Sequence, residues 1–77
     1  MQYRLFGKFV REKRLRELSK VSLNKFAIDN DLEPAMLSRF ETGKQDITYT
    51  AMEKIANGFG KMLSELIAEF EKYKSCN

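Results

Sequence analysis

The chain has 77 residues, 43% apolar and 32% charged, with no histidine and a single cysteine. That size allows one small domain, residues 1–77, near the lower limit of a self-sufficient core, and the composition excludes a disordered chain. Cys76 has no partner for an internal disulfide, no apolar run reaches the roughly 18–20 residues of a membrane span, and no signal-peptide pattern is visible, so a cytoplasmic, reducing setting is expected.

Leu5, Phe6, Phe9 and Val10 recur at spacings of three and four, which predicts a first helix from Gln2 or Tyr3 to Arg16 or Leu18 with one buried face. Leu15 and Leu18 fall off that stripe, so a change of packing is expected near Leu15. Ser22 suits an N-cap, and a second helix follows over Leu23–Asn30 with Phe26, Ala27 and Asn30 inward. A polar turn is read at Asp31–Glu33. Pro34 then stands where a helix places its first residue, because the N–H it lacks would be unpaired there. The third helix turns Leu37 and Phe40 inward and stops at Gly43, which tolerates a left-handed cap.

Thr48 or Thr50 opens the fourth helix, with Thr50 and Glu53 in capping-box spacing and Met52, Ile55, Ala56 and Phe59 inward. Gly58 and Gly60 loosen its end. The fifth helix, about Met62–Tyr73, aligns Leu63, Leu66, Ile67 and Phe70 on one stripe. Ile67, Phe70 and Tyr73 either extend the core or form the contact of a homodimer, and Lys74–Asn77 should fray. The whole chain reads as all-α.

Two short helices joined by a tight turn, Ser22 to Lys44, make a helix-turn-helix unit. Its residues resemble the Cro and lambda-repressor type of regulator, the XRE family. The likeness rests on Val10-Arg-Glu-Lys-Arg14, Ser22-Leu-Asn-Lys-Phe-Ala27, Pro34, Leu37-Ser-Arg39, Glu41 and Gly43-Lys44, and continues through Ile55-Ala56, Phe59-Gly60 and Leu63-Ser-Glu-Leu66. It covers about residues 6–67, with the helix-turn-helix at about 22–43. Departures are Asp31 in place of the turn glycine, Glu33 in place of a Ser or Thr cap, and a link from Arg14 to Ser22 two residues longer than usual.

The resemblance implies a five-helix, lambda-repressor-like fold and a partner in double-stranded DNA. It implies backbone contacts around Ser22, the Leu23 N–H, Asn24 and Lys25. It also implies that Glu41 pairs with an arginine of the first helix, Arg14 or Arg16, with Arg14 preferred because the preceding block aligns with it. From the residues themselves, the third helix would enter the major groove with Ala35, Met36, Ser38 and Arg39 outward. Arg39 is the strong base reader, since its two-pronged donor fits guanine O6 and N7. Ala35 and Met36 offer apolar contact to a thymine methyl, and Lys44 can meet a phosphate.

Charge distribution agrees with a polyanionic partner. Residues 1–25 hold eight Lys/Arg against Glu12 and Glu17, a balance of +6, while the rest of the chain holds six basic and nine acidic side chains, a balance of −3. A charge run alone reads first as a solvated helix face; the motif beside it favours the partner. No HExxH, cysteine pair or glycine-rich phosphate loop occurs, so no enzyme, metal or cofactor is expected. Asp29, Asp31 and Glu33 oppose the DNA reading and leave a protein-interaction module as the second reading.

Overall fold

The computed structural model describes residues 3–76, with Tyr3 and Cys76 described by their backbone alone. Five helices follow in order: α1 (Tyr3–Glu17), α2 (Leu23–Asp29), α3 (Pro34–Glu41), α4 (Tyr49–Gly58) and α5 (Leu63–Cys76). No strand occurs among the described residues. This is the all-α, five-helix architecture that the apolar stripes and the family likeness imply. None of these helices is long and apolar enough to cross a membrane.

The core forms where the stripes meet. Phe6, Val10, Leu37, Phe40, Ile55, Ala56 and Leu66 are completely buried. Phe6 meets Phe40 edge-on at 5.7 Å between ring centres, which ties α1 to α3. Gly7 lets these helices approach closely, since a Cβ built there would lie 2.1 Å from the Phe40 carbonyl oxygen. Three charged residues also lie inside: Lys13, Arg14 and Glu41 are 1%, 6% and 4% exposed.

Several expectations are corrected. Leu32, in the turn read as polar, is buried, its N–H donating to the Ala27 carbonyl at 2.8 Å. Packing does not change at Leu15; α1 stays helical to Glu17 and leaves Leu15 47% exposed, while Leu18 rests on the core. Thr48, and not Thr50, caps α4 by accepting the Ala51 N–H at 3.1 Å. Lys74, Ser75 and Cys76, where fraying is expected, continue α5; Gln2 and Asn77 lie outside the described residues.

Of the two roles left open for Ile67, Phe70 and Tyr73, the structure shows core extension, with Phe70 buried and Ile67 and Tyr73 half-buried. Phe70 is 1% exposed and touches Phe6 and Phe9 at 5.0 and 5.5 Å between ring centres. Ile67 and Tyr73 pack against the same cluster, and the Tyr73 hydroxyl donates to Glu12 at 3.3 Å. Burial of the phenol, reinforced by the Glu12 charge, raises its pKa above the ordinary tyrosine value. These residues extend the core, so Phe70 cannot face a second copy without unpacking α5 from α1.

Candidate nucleic-acid interface

The motif is built from local capping and one strained turn. Ser22 Oγ accepts the Lys25 N–H at 3.1 Å and fixes the start of α2. Asp31 takes φ of 58°, the left-handed conformation in which glycine is at ease; an L residue there costs about 1–2 kcal/mol. Lys54 offsets part of that cost by donating to the Asp31 carbonyl at 3.1 Å and its carboxylate at 3.2 Å. Glu33 precedes α3 without making a side-chain cap, and Pro34 occupies the first turn. Gly43, at φ of 78°, then reverses the chain.

Glu41 holds α3 to α1. Arg14 donates from Nε and Nη2 to its two carboxylate oxygens at 3.0 and 2.9 Å, and Arg16 instead lies near Glu17 at 3.4 Å. Hydrogen bonding to Glu41 raises the Arg14 pKa despite burial, so the guanidinium is charged throughout the accessible range. With Leu37 and Phe40 facing inward, the opposite side of α3 leaves Ala35, Ser38 and Arg39 exposed. Met36 is corrected here: it is half-buried and packs on the core, so only its edge is available outside.

The predicted cations differ in how free they are. Lys44 is exposed and makes no ion pair among the described residues. Lys25 is exposed but lies 3.0 Å from Asp29. Arg39 donates from Nε to Gln45 at 2.5 Å and has Glu33 at 3.9 Å. Asn24 and Ser22 are exposed at the start of α2. Gln45 went unnoticed in the sequence, and no local signal marks it, because its reach back to α3 depends on the reversal at Gly43. Asp29, Asp31 and Glu33 each lie beside a cation of the same chain, at 3.0, 3.2 and 3.9 Å, in exposed pairs that only partly offset their charge.

A short all-α domain in which a capped α2 and an outward-facing α3 are joined by a four-residue turn, residues 30–33, belongs to the helix-turn-helix class. Over 67 residues the chain is 36% identical to the control protein C.MunI of Mycoplasma sp, a match covering 87% of this chain and 89% of that protein. The chain therefore belongs to the family of that control protein. No protein-family model matches it, and no solved structure does.

Proposed function

We propose that the protein is a sequence-specific, DNA-binding transcription regulator that docks α3 in the major groove. The observation that carries this reading is the outer face of the motif: Ala35, Ser38 and Arg39 clear of the core, flanked by Ser22, Asn24 and Lys25 before α3 and by Lys44 after it. A helix fits the major groove, and a small outer face lets the backbone approach the base edges. Arg39 supplies the one long donor for a guanine; Ala35 and the edge of Met36 supply apolar contact. Lys25, Lys44, Ser22 and Asn24 hold phosphates and set the register. Similarity to a control protein supports a regulatory and non-enzymatic role.

Regulators of this type bind as twofold dimers on half-sites about 34–36 Å apart. A dimer of this chain must use a surface that leaves Phe70 in the core.

Selection of bound sequences from random duplexes, followed by retardation at rising salt, tests the reading. One enriched half-site and a steep loss of binding with salt are expected. If no sequence is enriched and no duplex is retarded at low salt, the same surface is a protein-interaction module.

A further inference from the structure

Beyond the motif, a groove of about 340 Å³ opens between the start of α1 and the end of α3, lined by Arg4, Lys8, Glu41, Thr42 and Gly43. Arg4 and Lys8 are one helical turn apart and so share a face of α1. The stem of Arg4 runs close beside Gly43: a Cβ on that glycine would lie 3.4 Å from Arg4 Cγ. The groove therefore adjoins Lys44, the next residue in the chain.

Its electrostatics differ from those of the motif. Arg4 makes no ion pair among the described residues, and Lys8 has only Glu12 at 4.0 Å, an exposed pair of little strength. Glu41 lines the groove, but its carboxylate is 1% exposed and both oxygens are taken by Arg14. The Thr42 hydroxyl turns its proton toward the Ser38 and Arg39 carbonyls, at 3.0 and 3.2 Å. What faces the groove is thus Arg4, without an ion pair among the described residues, and Lys8, weakly paired with Glu12, while the one carboxylate lining the groove, that of Glu41, is taken by Arg14. Lys25, by contrast, lies 3.0 Å from Asp29.

We propose that Arg4 and Lys8 form a second phosphate clamp, extending the DNA backbone contact from Lys44 onto the first helix. The inference rests on the DNA-binding reading above. Its occupant is the phosphodiester backbone of duplex DNA, chosen because the groove is cationic and continuous with the loop that carries Lys44. It reads no bases. It lengthens the footprint and adds to affinity for every sequence.

The test is the double variant Arg4→Gln/Lys8→Gln in the full chain, compared with the parent on the selected duplex and on a scrambled one. Arg4 and Lys8 are exposed, so the thermal melt should stay close to the parent's. Each phosphate released lowers the salt slope by about 0.9, so the variant's slope should be shallower by about two units. Between about 50 and about 200 mM salt, the parent should lose about tenfold more affinity than the variant. Preference for the selected over the scrambled duplex should be retained, and phosphate-ethylation interference at the phosphates next to those lost in Lys44→Ala should vanish. If the parent binds its selected site and the folded double variant keeps the parent's slope and interference pattern, the clamp is refuted while the DNA-binding reading stands. A parent that retards no duplex refutes both.

Discussion

Arg14 and Glu41 meet along two hydrogen bonds, Nε to Oε2 at 3.0 Å and Nη2 to Oε1 at 2.9 Å, although 27 residues separate them in sequence. Their side chains are 7% and 1% exposed, so neither charge has water as an alternative partner. Removing one member leaves the other buried and unpaired, a loss of about 3–5 kcal/mol. Glu41→Ala should therefore lower the urea midpoint severely, whereas replacing both residues by apolar ones of similar volume should restore much of the stability. A Glu41→Ala melt that matches the parent would show that the pair holds nothing together.

A second buried cation makes stability depend on pH. Lys13 donates to Glu17 at 2.7 Å and Glu69 at 2.6 Å, and its ammonium lies 5.0 Å from the centre of the Phe59 ring. Burial alone would lower the Lys13 pKa, but hydrogen bonds and the charges of Glu17 and Glu69 outweigh it and raise it above 10.5. Burial likewise works against ionised Glu69, and Lys13 and Lys61 overcome it, holding the carboxyl below 4.5. The Glu69 contribution is thus complete above its unfolded value and disappears as pH falls through the lower folded value. The Lys13 contribution is complete below its unfolded value and disappears as pH rises through the higher folded one. Melting temperatures of the parent should fall in both limbs, and Lys13→Met should flatten them. Equal pH dependence in the two proteins would contradict the assignment.

Gly7 sits inside α1, where alanine would ordinarily gain about 1 kcal/mol. Here a Cβ would lie 2.1 Å from the Phe40 carbonyl oxygen, a backbone atom that cannot swing aside. Overpacking of this kind costs about 1–3 kcal/mol, so Gly7→Ala should be destabilising despite its better helix propensity. Calorimetry beside Lys8→Ala, on the exposed face of the same helix, checks this. A stabilised Gly7→Ala protein would mean that α1 and α3 do not approach as described.

Lys13, Gly7 and Leu32 mark the limit of what the sequence made legible. Phe6, Phe9 and Val10 announced a buried face because spacing alone places them on one stripe. Ser22, Pro34 and Gly43 announced helix ends because each does local chemistry with its own neighbours. Lys13 looked like one more solvated charge, since its burial depends on Glu69, 56 residues away. Gly7 carried no local meaning, because only the path of α3 gives it one. Leu32 was lost among the polar residues of the turn around it. At the candidate interface, the outward residues of α3 could be chosen by subtracting the core positions. The partners that tether Arg39, and the half-burial of Met36, could not, for they depend on how the chain returns after Gly43.

The sharpest functional test separates Arg39 from Lys44. Arg39 stands on the outer side of α3 with Gln45 holding its Nε at 2.5 Å, an arrangement that orients the guanidinium before any DNA arrives. Lys44 stands exposed just past the end of the same helix and makes no ion pair among the described residues. Base contacts set sequence preference, whereas phosphate contacts set affinity and salt dependence. Arg39→Ala should cost about 1–3 kcal/mol on the selected duplex and relax preference at one position, expected to be a guanine. Lys44→Ala should weaken selected and scrambled duplexes nearly alike and lower the salt slope by about one unit. Gln45→Ala, which frees Arg39 without removing it, should reduce preference less than Arg39→Ala does. Binding constants for the three variants at several salt concentrations decide the roles. Equal weakening of both duplexes by Arg39→Ala would make that residue a phosphate contact, leaving DNA shape as the source of specificity.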